Sequence, residues 1–405
     1  MIRNRHLLSR LSILAVVLLV SALPLLTNAS WFGTNKNDTV TISKEEYDRL
    51  KQYELLDEVK QYVEAFYYEE PDEKSMMDGA IQGLLGGLGD AYSFYYPEDA
   101  WQKMQEDDTG KYAGIGVQML GDYEDSSVTI IRVFKDTPAE RAGLKKGDVF
   151  LSVEDIQVTT ATMQDAVDLM RGVPGEKVHI EIVRNGEVLP FDLIKANIIV
   201  NRVEYKMIDD KVGYIILFEF AGGSKEAFEQ AYQDLKSQGM HHLIFDLRDN
   251  PGGWVGDAEE IGSLFLDRKL LYYTEDRFER RKEFNTNQGA ESMPMTVLVN
   301  ENSASASEIL AAAMQDHERA VVIGQKTFGK GIIQFVVPLS DEKSGFQFTS
   351  AQYFSPLGKK VHKEGVTPDL LVEMPEEFIN KFFDTADLTD PQLAEAYEHA
   401  LESLK

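Results

Sequence analysis

The chain has 405 residues, with 41 lysines and arginines against 68 aspartates and glutamates, which gives a formal net charge of −27. This charge disfavours a nucleic-acid binder, because a phosphate backbone is repelled by a surface of its own sign. Hydrophobic residues make up 43% of the chain, enough to bury a core, and the length predicts two or three domains. The lack of cysteine excludes disulfides, thiolate metal sites and cysteine nucleophiles, and the seven histidines lack the spacing of a metal site.

Residues 1–29 have the pattern of an export signal or a membrane anchor. Three arginines precede an apolar run over residues 11–26, and no acidic residue occurs before Asp38. The run is shorter than the roughly 20 residues that a spanning helix needs, and Thr27-Asn-Ala29 offers a cleavage site. A cleaved signal and a retained anchor both remain open. Either one predicts a body outside the cytoplasm that meets the membrane only through this segment.

Residues 30–109 form a predicted N-terminal helical region. Ser43 and Glu46 have the spacing of a capping box, and apolar residues then recur at helical spacing as far as Phe66. A second helix is predicted around Ile81, ending at the glycine-rich stretch 86–90. The apolar stripes of this arm must pack on the body or on a second copy of the chain. A homodimer through these helices is therefore one of two expectations.

Residues 110–196 change to short β-rich runs separated by two short helices. The first helix has Thr137 as its cap and Pro138 at its first position, and it ends at Gly143. This order predicts a small, partly open barrel with exposed strand edges. The predicted strands are Ile115–Leu120, Ser127–Phe134, Val149–Val153, Val178–Arg184 and Val188–Ile194.

This region resembles a PDZ domain. Residues 137–148, Thr-Pro-Ala-Glu-Arg-Ala-Gly-Leu-Lys-Lys-Gly-Asp, are similar to the central signature of that family, and Ala-Gly-Ile-Gly-Val at 113–117 is similar to its carboxylate-binding loop. The resemblance implies that a peptide C-terminus binds at Gly114, Ile115, Gly116 and Val117. Glycines let successive N–H groups turn toward one point, and the strand edge then accepts the peptide as an added strand.

Residues 197–374 alternate strands with helices, which predicts a layered α/β domain with functional groups at the strand ends. Residues 375–405 are predicted to be an acidic C-terminal helical segment. From Glu373 onward the chain has nine acids and two lysines, so a solvated surface segment is expected. Its last helix starts at Asp390-Pro391 and has one narrow apolar stripe.

Three strand-end segments resemble the S41 serine peptidases, specifically the carboxyl-terminal processing peptidases with an inserted PDZ domain. They are Asp-Leu-Arg-Asp-Asn-Pro-Gly-Gly at 246–253, Asn-Ser-Ala-Ser-Ala-Ser-Glu at 302–308, and Thr-Phe-Gly-Lys-Gly at 327–331. The blocks occur in the family's order, and the resemblance covers roughly residues 76–372. It implies a multidomain α/β protein with a layered peptidase core of the crotonase/ClpP-like type. It implies no metal, no nucleotide and no other cofactor.

The resemblance also implies the residues of a Ser-Lys dyad. The family's serine corresponds to Ser305 and its lysine to Lys330, with Gln334 supporting the lysine. Lys330 and Gln334 differ by an even number along a predicted strand, so both side chains are expected on one face. The N–H of Ala306 at a helix start is the expected oxyanion donor, and Gly253 is favoured as the second donor, with Gly252 next.

This chemistry requires a neutral lysine, because an ammonium cannot accept the serine proton. Lowering a lysine pKa from about 10.4 to about 7 needs roughly 4 to 5 kcal/mol of differential environment. Desolvation by Phe328, Ile332 and nearby apolar residues is the expected source. The residues alone also fit a solvated lysine in a glycine turn.

Several other assignments compete with this one. Ser303 and Ser307 are rivals to Ser305, which also fits a simple helix cap in a capping box with Glu308. Asp246, Arg248 and Asp249 suggest an acid or metal cluster, although a structural ion pair is favoured there. His317 lies near the far end of the same predicted helix and is disfavoured as a base.

The predicted function is a secreted or membrane-anchored serine endopeptidase that recognises protein C-termini through its PDZ domain. The rivals are a non-catalytic exported peptide-binding scaffold or chaperone and, more remotely, an acyl-CoA-handling enzyme.

Overall fold

The structure is a computed structural model that describes residues 40–378, 381 and 383–405. The predicted export segment at residues 1–29 lies outside the described residues. Internal contacts divide the chain into two units, residues 1–76 and 77–405.

The described part of the first unit, residues 40–76, is helical, as predicted. Helix α1 (Lys44–Leu50) begins at Ser43, whose hydroxyl accepts a hydrogen bond from the Glu46 N–H. A 3-10 turn (Lys51–Tyr53) leads into α2 (Glu54–Phe66), and none of these three elements has a buried residue. The apolar stripe of this arm is thus uncovered within its own unit. No helix in the described part of the chain is long and apolar enough to cross a membrane.

Helix α3 (Glu73–Gly86) ends at the predicted glycine stop, and β1 (Phe94–Tyr96) and α4 (Glu98–Thr109) follow it. Two antiparallel strands, β2 (Lys111–Gly114) and β9 (Ala196–Ile199), then pair at the two ends of the next domain. They form a stem, because everything between them is one inserted domain with its own hydrophobic core.

The inserted domain is an antiparallel sheet in the order β3-β4-β5-β7-β8. Its strands are β3 (Val117–Gly121), β4 (Val128–Val133), β5 (Val149–Val153), β6 (Ile156–Gln157), β7 (Lys177–Arg184) and β8 (Glu187–Ile194), and its helices are α5 (Pro138–Ala142) and α6 (Met163–Met170). All five predicted strands are present within two residues of their predicted bounds. Strand β3 lies at the edge of the sheet and starts at Val117, because Ile115 and Gly116 turn into a loop.

The second domain is built on a six-stranded sheet in the order β10-β11-β12-β15-β16-β19, parallel except for β10. Its strands are β10 (Val203–Met207), β11 (Val212–Leu217), β12 (His242–Asp246), β15 (Met295–Val299), β16 (Val321–Gly324) and β19 (Leu370–Leu371). The helices of one face are α7 (Ser224–Ser237), α8 (Val255–Phe265) and α9 (Ala306–Asp316). Every residue of β12 and β15 is buried, as expected for parallel strands covered on both faces.

An antiparallel second sheet was not predicted. It runs β1-β18-β13-β14, and β17 pairs with β18. Its remaining strands are β13 (Leu270–Glu275), β14 (Arg281–Asn285), β17 (Ile332–Pro338) and β18 (Gly345–Phe354). The alternation of strands and helices along the chain predicts only the parallel sheet. It does not predict the pairing of β1 with β18, which lie about 250 residues apart in the chain.

The C-terminal helix α10 (Pro391–Ser403) has the predicted start and stripe, but the prediction of a solvated segment is wrong for it. Leu393, Ala396 and Ala400 are buried against the second face of the parallel sheet. The net charge of the segment did not predict this burial, because the acidic side chains of α10 lie outside the narrow apolar stripe that packs on the sheet. The helix therefore completes an α/β/α sandwich.

Candidate active site

Ser305 lies in the turn between β15 and α9, where it is the N-cap residue of the helix. Its backbone has φ 56° and ψ −114°, a conformation that non-glycine residues rarely adopt. Such strain persists only where the surrounding structure imposes it, and it concentrates at functional sites. This strain was not predicted from the sequence.

The three serines of this turn differ in what their hydroxyls do. The Ser303 hydroxyl donates to the Leu247 carbonyl at 2.8 Å, and the Ser307 hydroxyl donates to the Asn250 carbonyl at 3.0 Å. Both side chains are fully buried. The Ser305 hydroxyl donates no hydrogen bond to any residue that the structure describes, and Ser305 is 9% exposed. Of the three, only Ser305 has a hydroxyl proton available for transfer.

The glycine turn after β12 lies directly against Ser305. A Cβ added to Gly252 would come within 2.7 Å of the Ser305 Cβ and 2.9 Å of the Ala306 nitrogen. The Gly252 N–H donates to the Asn250 side chain at 2.8 Å, so it is already used. Within the described structure, the N–H groups of Gly253 and Ala306 donate to no other residue. The predicted preference for Gly253 over Gly252 as the second oxyanion donor thus agrees with these hydrogen bonds.

Lys330 lies in the loop before β17, with its Nζ 4.8 Å from the centre of the Tyr92 ring. Burial lowers the pKa of Lys330 below its ordinary value of 10.5, and the nearby Glu308 charge partly opposes this. The lysine forms no ion pair with any carboxylate in the described ranges of the chain. Phe328 is 59% exposed, so the expectation that it desolvates the lysine is wrong, and Tyr92 contributes an aromatic surface instead.

Gln334 donates to the Thr349 hydroxyl at 3.3 Å, and that hydroxyl donates to the Asp90 carboxylate at 2.6 Å. The prediction that the side chains of Lys330 and Gln334 lie on one face of a strand is wrong. Lys330 precedes β17, and the strand register shifts between Ile333 and Gln334. Gln334 is instead connected to residues 88–93, the segment that also carries Tyr92.

Two buried side chains that sequence reasoning did not select lie between the serine and lysine segments. The Glu308 carboxylate accepts the N–H groups of Ser305 and Lys330, and the Tyr353 hydroxyl lies 3.0 Å and 2.9 Å from the carbonyls of the same two residues. The capping-box spacing did identify Glu308, but only as a partner of Ser305.

The competing assignments correspond to structural contacts. Arg248 forms a buried ion pair with Asp246 at 2.6 Å and a second with Asp390 at the start of α10. The His317 Nε2 lies 2.7 Å from the Leu270 carbonyl, at the far end of α9. No group of three or more His, Asp or Glu side chains fit to hold a metal occurs in residues 40–378, 381 and 383–405.

The predicted peptide-binding loop lies between β2 and β3. Gly114 ends β2, Val117 begins edge strand β3, and Gly116 has φ 91° with a would-be Cβ only 2.4 Å from Thr137. The carbonyls of Ile115 and Gly116 accept hydrogen bonds from elsewhere in the domain, whereas their N–H groups donate to no residue in the described structure. These two donors beside a free strand edge have the arrangement of a carboxylate nest.

Comparisons with known proteins agree with this architecture. Residues 211–372 match the peptidase family S41, residues 129–184 match a PDZ domain, and residues 18–100 match the activating protease CtpB N-terminal domain. The carboxyl-terminal-processing protease of Synechocystis is 34% identical over 332 residues, which cover 80% of this chain and 76% of that protein.

The chain belongs to the carboxyl-terminal processing proteases of family S41. Bacillus subtilis CtpB, a carboxy-terminal processing protease, is 31% identical over 82% of this chain and 70% of its own length. Among solved structures, the photosystem II D1 C-terminal processing protease has a TM-score of 0.54 at 26% identity, covering 86% of this chain and 96% of that one. The predicted family, the PDZ domain and the serine-type peptidase class are confirmed.

Proposed function

We propose that the protein hydrolyses peptide bonds with a dyad of Ser305 and Lys330. The observation that carries this proposal is the contrast among the three serines. Only the Ser305 hydroxyl is free to lose its proton, and it lies at a strained helix start beside the Gly252-Gly253 turn. The partly desolvated amine of Lys330, on the segment that shares Glu308 with Ser305, is the corresponding base.

The proposed reaction begins with neutral Lys330 taking the proton of the Ser305 hydroxyl while Oγ bonds to the scissile carbonyl carbon. The N–H groups of Ala306 and Gly253 hold the resulting oxyanion. When the C–N bond breaks, the lysine ammonium returns its proton to the leaving amine. Water then attacks the acyl carbon, with the same amine accepting its proton, and that proton passes to Ser305 Oγ as the bond between Oγ and the acyl carbon breaks. Gln334, whose side-chain amide donates to the Thr349 hydroxyl, is assigned to orienting the Lys330 amine.

The substrates proposed for this peptidase are proteins and peptides with free C-termini. Support comes from the unused N–H groups of Ile115 and Gly116 at the end of edge strand β3. A C-terminal carboxylate would occupy this nest while the preceding residues pair with β3, which brings the chain to the protease as an extended strand.

The proposed location is outside the cytoplasm, either secreted or anchored to the outer face of the membrane. It is supported by the arginine-flanked apolar run at residues 11–26. A homodimer through the N-terminal helices is also proposed, because α1 and α2 expose large apolar residues such as Leu55 and Phe66.

The test compares turnover of casein and of a tagged peptide by wild type, Ser305→Ala and Lys330→Ala. Lys330→Ala is matched by Lys326→Ala, which removes an exposed lysine four positions earlier. We expect both site variants to lose at least a thousandfold in kcat while the control stays at wild-type level. Equal residual cleavage by wild type and the two variants would remove the dyad and favour a peptide-binding scaffold.

A further inference from the structure

Glu308 has more hydrogen-bond donors around it than helix capping requires. One carboxylate oxygen accepts the N–H groups of Ser305 at 2.9 Å and Lys330 at 2.8 Å. The other accepts the Gly329 N–H at 2.7 Å and the Thr327 hydroxyl at 2.5 Å. A capping box would account for the Ser305 contact alone. The other three donors all belong to the segment that carries the lysine.

The hydrogen bonds to Glu308 favour its ionised form, whereas its burial disfavours that form. Burial raises the pKa of Glu308, and the hydrogen bonds from Thr327 and the three N–H groups oppose that rise. The Thr327 hydroxyl accepts the Val366 N–H, which directs its own proton toward Glu308. A proton on the carboxyl would therefore meet only donors. In the described structure no cation pairs with Glu308, so these neutral donors hold its charge.

Tyr353 contacts the backbone carbonyls of Ser305 and Lys330. It lies in β18, is 1% exposed, and places its hydroxyl 3.0 Å from the Ser305 carbonyl and 2.9 Å from the Lys330 carbonyl. Glu308 thus holds the N–H groups of Ser305 and Lys330, and Tyr353 lies at their C=O groups. Helix α9 and strand β18 supply these contacts independently.

We propose that Glu308 and Tyr353 are positioning residues that set the spacing between Ser305 and Lys330. The inference rests on the proposed dyad. Proton transfer requires the two reacting groups within hydrogen-bonding reach, and a displacement of about 1 Å costs on the order of a hundredfold in rate. The Phe328 N–H also donates to the Ser303 carbonyl at 3.1 Å, but of these contacts only those of Glu308 and Tyr353 act on Ser305 and Lys330 themselves.

The two contacts predict different signatures. Glu308→Gln replaces one carboxylate oxygen with an NH2 group that cannot accept. Either the N–H groups of Ser305 and Lys330 or the donors Thr327 and Gly329 then lose their acceptor, and in both cases the lysine segment is displaced. The substitution also removes the negative charge that raises the pKa of Lys330. Tyr353→Phe removes a hydroxyl and leaves the charge unchanged. Both variants should lower kcat with little change in KM, and only Glu308→Gln should shift the acidic limb of the pH profile, toward lower pH.

The experiment measures kcat, KM and the pH profile of peptide cleavage, with thermal unfolding of each variant. Glu301→Gln removes the same charge at an exposed position four residues before Ser305, and Tyr272→Phe removes a buried hydroxyl bonded to Glu259. We expect kcat to fall about a hundredfold in Glu308→Gln and about tenfold in Tyr353→Phe. The conservative Glu308→Asp should recover the pH profile but not the full rate. The two controls should keep wild-type kcat.

The positioning role would be overturned if Glu308→Gln and Tyr353→Phe both kept a kcat within threefold of the controls. The dyad would stay intact in that case, provided that Ser305→Ala and Lys330→Ala are inactive. Activity in Lys330→Ala would instead refute the dyad. If Glu308→Gln fails to fold, Tyr353→Phe decides, because a wild-type kcat in folded Tyr353→Phe overturns the proposal.

Discussion

The PDZ loop and the Ser305 site both use glycine turns to present unpaired N–H groups, but they do so in different settings. In the PDZ loop, the N–H groups of Ile115 and Gly116 lie beside an edge strand, and residues 114–117 have no titratable side chain. In the core, the N–H groups of Gly253 and Ala306 lie beside the strained backbone of Ser305, and burial lowers the pKa of Lys330, which shares Glu308 with Ser305.

This difference separates binding from catalysis. A nest that holds a resting carboxylate needs only donors and space, whereas a site that stabilises developing charge also needs a base in the correct protonation state. We therefore expect C-terminal binding by the PDZ domain to be nearly independent of pH above about 5, and turnover to depend on it strongly. Variants in the PDZ domain and variants in the core should therefore have different effects.

The largest effect is expected from Gly253→Ala. Gly253 has φ 125°, and an added Cβ would lie 2.1 Å from the Phe220 carbonyl oxygen, so the turn must move. Loss of one oxyanion donor typically costs 10²- to 10³-fold in kcat. Gly289→Ala is the control, because Gly289 has φ 100° and open space around it. Kinetics should show a loss of that order for Gly253→Ala with unchanged peptide binding. A kcat within threefold of Gly289→Ala would contradict the assignment.

A smaller and selective effect is expected from Gly116→Ala. The added Cβ would clash with Thr137 and displace the N–H groups of the nest. We expect KM for a peptide with a free C-terminus to rise about tenfold or more, since one charge-assisted hydrogen bond contributes roughly 1.5 to 3 kcal/mol. Cleavage of a C-terminally amidated peptide should be unaffected. Gly186→Ala, in an open turn of the same domain, is the matched variant. An equal rise in KM for both peptides would rule out carboxylate recognition.

Two histidines give the smallest predicted effect. Burial and the neighbouring His399 lower the pKa of His242 to about 4, and its ring lies 2.8 Å from the Ser403 hydroxyl of α10. Because the unfolded state binds this proton more readily, its stabilising effect is present above about pH 6.5 and is lost as pH falls toward 4. His179 in the PDZ domain pairs with Asp192, which raises its pKa, so its stabilising effect is lost as pH rises.

Urea unfolding should therefore show the core losing about 1 kcal/mol between pH 7 and 5.5 through His242. His242→Gln should remove that dependence, whereas His179→Gln should leave it in place. An unchanged pH dependence in His242→Gln would show that another group is responsible.

Local patterns in the sequence were sufficient for most of the fold. The strands of the PDZ sheet and the alternating elements of the parallel sheet follow from periodicity and capping residues. The antiparallel sheet was missed although β13-β14 and β17-β18 are neighbours in the chain, and the pairings of β18 with β1 and β13 that make these hairpins one sheet are distant in the chain. Distance in the chain also explains why the contact of Asp90 with Thr349 was not predicted, because these residues are 259 positions apart.

The site was predicted by family motifs rather than by physical reasoning from single residues. Spacing alone left Ser303, Ser305 and Ser307 equivalent, and the structure separates them by what their hydroxyls bond. The exposed Phe328 and the Tyr92 ring beside Lys330 show the limit of local reasoning. The environment of a lysine depends on residues that fold against it from far along the chain.

The most direct test of the proposed dyad is the pH dependence of Ser305 phosphonylation by a fluorophosphonate, in which Oγ bonds to phosphorus and fluoride leaves, measured as a rate on the folded protein. We predict that the rate rises through one ionisation with a pKa below the ordinary lysine value of 10.5, and that this ionisation disappears in Lys330→Ala but not in Lys326→Ala. An ionisation that persists unchanged in Lys330→Ala, or one at the value of a solvated lysine, would contradict it.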